Sequence, residues 1–486
     1  MVIEIRKIAI RNFKNLKDVV IYPKKFNVLI GPNGSGKTNF LEFFKLLRKI
    51  YVERNPYPFL EWDGYENVVW NHQRSLPIEF EIETVERTTL TEFFKRYWTD
   101  RARLESDAEI EIVRKISASI IATQSENVRF LNEIVDVRIP KLDFYYALEK
   151  ETNAQHYTII LNDKKFKINV PEFRLRHESL FFNILDEINL ALSYIDHTEL
   201  LSRMRDHFGG NVSYITLDRI TEEEVFEECK ERLKQALLDL NISLICKVES
   251  ATDSEKVSMI SHDISNVIFS IASDTIFIPF LLLYKISTLF PLNLTEIKYK
   301  PKIFPIEEPL KERGENALDI LAQIQLKEGK LPERVEYFVE NYFGGKIYFK
   351  GVAPGRMNLY FYKDRVEVSK EHLPDGLLKG LVILTALEQN PSILLIDEIE
   401  NSLHPELLEF LINTLKEESE GYVFVTTHSP VVLNLVEPEE IYIFKPKDDG
   451  SVEIKNVLEY KSKEELMKEL EELGISLGEK VLYGFM

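Results

Sequence analysis

Gly31-Pro32-Asn33-Gly34-Ser35-Gly36-Lys37-Thr38 fits the pattern G-x-x-x-x-G-K-[ST], and its flanks supply the context that the pattern requires. Phe26–Ile30 reads as a short buried strand before it, and residues 39–50 carry the apolar spacing of a helix after it. The three glycines let the backbone curl until successive N–H groups face a polyphosphate, and the helix N-terminus adds the positive end of its dipole. In that frame Lys37 bridges β- and γ-phosphates, and the Thr38 hydroxyl ligates Mg²⁺.

The partners of this loop lie near the other end of the chain. Ile393-Leu394-Leu395-Ile396-Asp397-Glu398 is an apolar strand ending in two carboxylates. Buried parallel strands deliver functional side chains at their C-terminal edge, where Asp397 is suited to hold Mg²⁺ through water and Glu398 to polarise an attacking water. A second apolar strand, 422–425, ends in Thr426-Thr427-His428-Ser429, which makes His428 the candidate switch residue.

Together these motifs resemble the ABC-type ATPase superfamily, in the branch with SMC, RecF and overcoming-lysogenization-defect proteins rather than the transporters. Asp397 follows Gly376 by 21 residues and precedes His428 by 31, in keeping with the order of signature, Walker B and switch in that superfamily. Ile8-Ala9-Ile10-Arg11-Asn12-Phe13-Lys14-Asn15 resembles the family's first strand, and Glu400-Asn401-Ser402-Leu403-His404-Pro405 its D-loop. The resemblance covers residues 1–85 and 305–460. It implies an α/β fold: an ABC-type ATPase head, a P-loop NTPase with a mixed sheet plus an antiparallel subdomain, carrying a helical insertion. It also implies ATP and Mg²⁺ as ligands. Nucleotide contacts then fall to Asn12, Phe13, Lys14, Asn33, Gly34, Ser35, Gly36, Lys37, Thr38, Asn39 and Gly376, with catalysis by Lys37, Glu398 and His428. The metal is expected at Thr38 and Asp397, with Gln73, which precedes the strand at 76–85, as the candidate for the family's glutamine-containing loop.

One motif departs from the family. Where Leu-Ser-x-Gly is usual, the chain reads Leu373-Pro374-Asp375-Gly376 before an apolar helix. The family's signature serine donates a hydrogen bond to a γ-phosphate held by the opposite subunit, which Pro374 cannot do. Proline suits a helix start, so the helix end and the Gly376 N–H remain available to phosphate. Asp375 is expected to point away or to cap the helix.

A chain of 486 residues with 44% hydrophobic content is long enough for two or three domains. Two cysteines, Cys229 and Cys246, give neither a disulfide framework nor a C-x-x-C metal pair. The longest apolar run, 275–284, contains Pro279 and is too short to span a bilayer, so the expectation is a soluble, cytoplasmic protein without a membrane partner. The net charge of −19, from 80 acidic and 61 basic residues, confines any nucleic-acid surface to a local patch. The basic clusters Arg174, Arg176, His177 and Arg203, Arg205, His207 read as solvated helix faces.

Alternation predicts strands at 76–85, 135–148, 156–161 and 165–170, with Asn162-Asp163 as a turn, and a largely helical stretch over 91–128. Residues 171–294 read as mostly helical, and Asn316 as a helix cap. The domains expected are 1–170, with the Walker A loop and an antiparallel sheet; 171–300, a helical insertion; 301–460, with signature, Walker B, D-loop and switch; and a helical tail, 461–486. Prolines 140, 171, 279 and 291 exclude a long heptad coiled coil between loop and signature.

The resemblance implies a head-to-tail, ATP-dependent homodimer or higher oligomer. The 58 residues after His428 leave no room for the nuclease domain that such relatives often carry, so an effector such as a nuclease is expected as a separate polypeptide. Two roles fit: a regulatory ATPase of an antiviral defence system, or a DNA-bound ATPase of repair or chromosome maintenance, with double-stranded DNA as a partner. A transporter subunit is a distant third.

Overall fold

The computed structural model describes residues 3–89, 91–93, 102–104, 108–142, 144–151, 156–161, 164–169, 244–246, 285–299, 303, 308–354 and 356–484. They form two compact units, each discontinuous in sequence: Met1–Lys14 with Asn55–Phe280, and Asn15–Arg54 with Leu281–Met486. This differs from the contiguous division expected above, because the phosphate loop and its helix pack with the C-terminal part of the chain.

The first unit is built on an antiparallel sheet. Ile3–Phe13 pairs with Ile78–Thr89, followed by Glu109–Ala122, Val128–Ile139, Phe144–Glu151, His156–Leu161 and Lys164–Asn169. Leu161 stands opposite Lys164; the turn expected at Asn162-Asp163 lies outside the described residues. The helical expectation over 91–128 is overturned by the strand Glu109–Ala122. Its Ile110, Ile112, Ile116, Ala118 and Ile120 are buried at a period of two, and pairing on both edges decides in favour of extended backbone.

The second unit carries a mixed sheet in the order Ile286–Leu289, Ile393–Ile396, Tyr422–Thr426, Phe26–Ile30, Ile441–Pro446, Val452–Asn456. All neighbours are parallel except the last pair. Three inner strands, Ile393–Ile396, Tyr422–Thr426 and Phe26–Ile30, are fully buried runs of four or five residues, as parallel strands covered on both faces must be. Helix Lys37–Tyr51 packs Phe40 and Phe44 on Phe424, with ring centroids 5.6 and 6.0 Å apart. Helix Asp375–Glu388 is buried over nearly its whole length, which its apolar sequence Leu377 to Leu387 dictates.

The helical expectation for 171–294 is corrected at two places: Ile286–Leu289 is a strand of this parallel sheet, and Leu244–Cys246 pairs with Ala102–Leu104. The rest of that expectation, including both basic clusters, lies outside the described residues. Asn316 precedes helix Ala317–Glu328 but does not cap it. Its side chain accepts from the Lys311 N–H at 2.8 Å and donates to the Pro309 carbonyl at 3.0 Å, so it closes the preceding turn instead. The tail helix Lys463–Leu473 is capped by Ser462 and Glu465 and buries Leu466 and Leu470. No described helix is long and apolar enough to cross a membrane.

Candidate nucleotide site

The strand register levels the carboxyl ends of the parallel sheet. Thr426 pairs with Leu29, and Ile396 with Val425, so the phosphate loop, Asp397 and His428 all follow strands that end at one edge. Within the loop, Gly36 takes φ 102°, and a Cβ there would collide with the side chain of Asn15. Asn15 donates to the Ser35 carbonyl at 3.1 Å and accepts from Asn39 Nδ2 at 2.8 Å, tying the loop's end to the first turn of the helix.

Lys37 is buried, and its Nζ donates to the carbonyls of Gly31 at 2.8 Å and Pro32 at 3.1 Å. Burial lowers its pKa, against the opposing pull of Asp397, Glu398 and Glu400. Thr38 donates from Oγ1 to Asp397 Oδ2 at 3.2 Å, and Thr426 donates to Asp397 Oδ1 at 2.6 Å. Burial raises the Asp397 pKa, which the two hydroxyls partly offset. The Thr426 oxygen in turn accepts from the Glu398 N–H at 2.7 Å.

Glu398 adopts φ 49°, a left-handed backbone costly for a residue with a side chain, and its carboxylate accepts from Asn401 in the following turn. The next acidic residue, Glu400, accepts from the His428 N–H at 2.6 Å, fixing the backbone of His428 while its side chain stays exposed. Gly376 sits in the first turn of helix Asp375–Glu388, where a Cβ would approach the Ser402 carbonyl to 3.0 Å. Asp375 turns to Lys298, 2.5 Å from its Nζ, in line with the expectation that it points away.

The structure therefore brings Lys37, Thr38, Asp397 and Glu398 together. Asn12, Phe13, Lys14 and Gln73 belong to the other unit. There Asn12 donates to the Pro77 carbonyl at 2.9 Å, Phe13 is buried, the Lys14 ammonium lies 5.6 Å from the Trp62 ring, and Gln73 is exposed at the end of the turn Trp70–His72. Sequence reading missed Lys379. It is buried in the signature helix and donates to the Glu398 carbonyl at 2.8 Å, with its pKa pushed down to about 8 by burial, against Glu400, Glu398 and Asp397. The available signal was a lysine amid nine apolar neighbours. Asn15 was missed as a nucleotide-loop residue for a similar reason: only folding brings it to Ser35.

The residues present fit a polyphosphate with a hard divalent cation. Ser35 Oγ is buried without a hydrogen-bond partner, and Lys37 rests on carbonyls that phosphate oxygens can replace. Thr38 and Asp397 offer oxygen ligands side by side.

These features define a P-loop ATPase. The family described as "AAA ATPase domain" matches residues 3–328, about two thirds of the chain, and the chain belongs to it. A second family, described as "AAA domain, putative AbiEii toxin, Type IV TA system", matches residues 278–434. Among curated proteins, the DNA replication and repair protein RecF of Clostridium acetobutylicum is 25% identical over 182 residues, which cover 34% of this chain and 47% of that protein. The chain thus matches about half the length of this relative. Among solved structures, the Smc head domain of Pyrococcus furiosus, with an extended coiled coil and bound to the C-terminal domain of ScpA, is 16% identical with a TM-score of 0.38, covering 97% of this chain and 100% of that one. The SMC head domain of Thermotoga maritima is 14% identical with a TM-score of 0.33, covering 93% and 98%. Family and motif order together make the chain an ABC-type ATPase of the SMC and RecF kind.

Proposed function

We propose that the chain binds and hydrolyses Mg·ATP and works as an ATP-gated dimer, the regulatory or sensor ATPase of an antiviral defence or DNA-processing system with a separate effector such as a nuclease. The observation that carries the catalytic half is the convergence of Thr38 and Asp397, 3.2 Å apart, with Glu398 fixed beside them by the Thr426 hydroxyl. Lys37 exchanges its carbonyl partners for phosphate oxygens and offsets developing negative charge. Mg²⁺, when bound, is held by Thr38 and Asp397 and neutralises the phosphates. Glu398 orients the attacking water, and the exposed His428 senses the terminal phosphate. Gly376 and the start of its helix face the nucleotide of the second subunit, with Pro374 removing one donor. Cytoplasmic location belongs to the same reading.

Steady-state ATP hydrolysis by the purified chain, with Glu398→Gln as the control for contaminating ATPase, tests the proposal. Glu398→Gln is expected to bind ATP, lose at least about a hundredfold in turnover and accumulate as a dimer. His428→Ala is expected to lose turnover and keep binding. Wild-type turnover in Glu398→Gln removes Glu398 from the mechanism. The RecF relative favours a second reading, a DNA-bound repair ATPase. Stimulation by long double-stranded DNA that fades with salt supports it, and an unchanged rate points to a protein partner.

A further inference from the structure

Glu398, the residue assigned to orient water, holds a left-handed backbone at φ 49°. A residue with a side chain keeps that conformation only where its surroundings impose it. Here one hydrogen bond does so at each end of the residue: the N–H donates to Thr426 Oγ1 at 2.7 Å, and the carbonyl accepts from Lys379 Nζ at 2.8 Å. Thr426 ends the neighbouring strand and comes with the sheet. Lys379 reaches across from a separate element, the helix Asp375–Glu388.

A lysine is a costly way to satisfy one carbonyl. Lys379 is 5% exposed, and burying an ammonium costs far more than burying a neutral donor such as a hydroxyl or an amide. Burial pushes its pKa down, and the field of Glu400, Glu398 and Asp397 opposes that effect, so the charge is directed at the acidic end of the strand. Packing alone does not confine Glu398. A cavity of about 100 Å³ borders Lys379, Asp397, Glu398 and Asn401 and leaves the segment room to shift. Among the described residues the Lys379 ammonium makes its hydrogen bond to Glu398 and none to the phosphate loop.

We infer that Lys379 is a positioning residue for hydrolysis: its bond to the Glu398 carbonyl holds the left-handed turn that aims the Glu398 carboxylate at water. The inference rests on the ATPase reading and deepens it, because it adds a residue of the signature helix that acts only through Glu398. Turnover then depends on Lys379, and ATP binding does not.

The test is steady-state ATP hydrolysis by the full chain, paired with hydrogen exchange of the nucleotide-free protein. Lys379→Met is expected to lower kcat at least about tenfold and to leave KM for ATP within about twofold, since a small displacement of a catalytic group costs rate rather than binding. In the Glu398→Gln background the same substitution is expected to change residual turnover by less than about twofold, because nothing is left to position. The melting temperature of Lys379→Met at neutral pH is expected to hold or rise, as it should when a buried ammonium with a lowered pKa is removed. In the exchange experiment the amides of Glu398 and Ile399 are expected to exchange at least about threefold faster in Lys379→Met, with those of Phe26–Ile30 unchanged. A wild-type chain without turnover overturns the ATPase reading, and the exchange result then decides the hold on Glu398 by itself. Unchanged exchange, an unchanged kcat, a loss carried by KM, or an equal loss in the Glu398→Gln background overturns the inference.

Discussion

Buried charge is handled in two ways in this molecule. In the antiparallel sheet of the first unit, Arg114 and Glu86 are 2% and 1% exposed, and the guanidinium meets the carboxylate at 3.0 Å. In the second unit, the buried ammonium groups of Lys37 and Lys379 meet backbone carbonyls of Gly31, Pro32 and Glu398. A buried pair of opposite side chains offsets its own charge and belongs to the structure. A buried cation resting on carbonyls is neutralised only in part, and it stands ready for an anion.

The largest expected effect that tests this contrast is at the phosphate loop. Lys37→Ala is expected to abolish ATP binding, a loss of at least about a hundredfold by calorimetry, with little change in melting temperature. Tight ATP binding by that variant would dissolve the distinction. For the paired charges the pattern is reversed. Arg114→Met alone is expected to cost about 3–5 kcal/mol in urea unfolding by stranding Glu86, whereas Arg114→Met with Glu86→Leu recovers most of it. ATP affinity stays unchanged in both.

Lys379 sharpens the comparison through pH. Its folded pKa of about 8 lies below the ordinary lysine value of 10.5, so between these values the unfolded chain binds more protons and stability rises with pH. The rise attributable to this group is about 3 kcal/mol from pH 8 to 10.5, and Lys379→Met should lack it when wild type and variant are compared by urea unfolding across that range. Identical pH profiles would mean that the ammonium is not held in the dry setting described. The smallest effect is expected at Asn15→Ala, which frees the Ser35 carbonyl and Asn39: about 1 kcal/mol, read as a several-fold weaker ATP affinity.

Much of the nucleotide site was legible because its local chemistry is written in contiguous residues. A Gly-rich loop needs its glycines in place, and an apolar strand ending in Asp397-Glu398 declares its buried run and its exposed edge together. The antiparallel strands 76–85 and 156–161 were legible for the same reason, since half-buried strands alternate. Glu109–Ala122 was not, because Val113 and Arg114 interrupt the alternation, and pairing with distant strands settled the conformation. Ile286–Leu289 reads Ile-Ser-Thr-Leu, four residues with only two apolar ones, too short for periodicity to tell a strand from part of a helix.

What the sequence determined by itself is the phosphate loop, the acidic strand end, the order of motifs between them and the proline that alters the signature. These depend on backbone freedom and side-chain chemistry within a few residues. Tertiary structure decided which distant segments share a sheet, that Asn15 closes the loop, and that Lys379 lies dry against Glu398. Each of those depends on strand register or helix packing between residues far apart in the chain, where the free energy is shared among many contacts and no short stretch carries the signal.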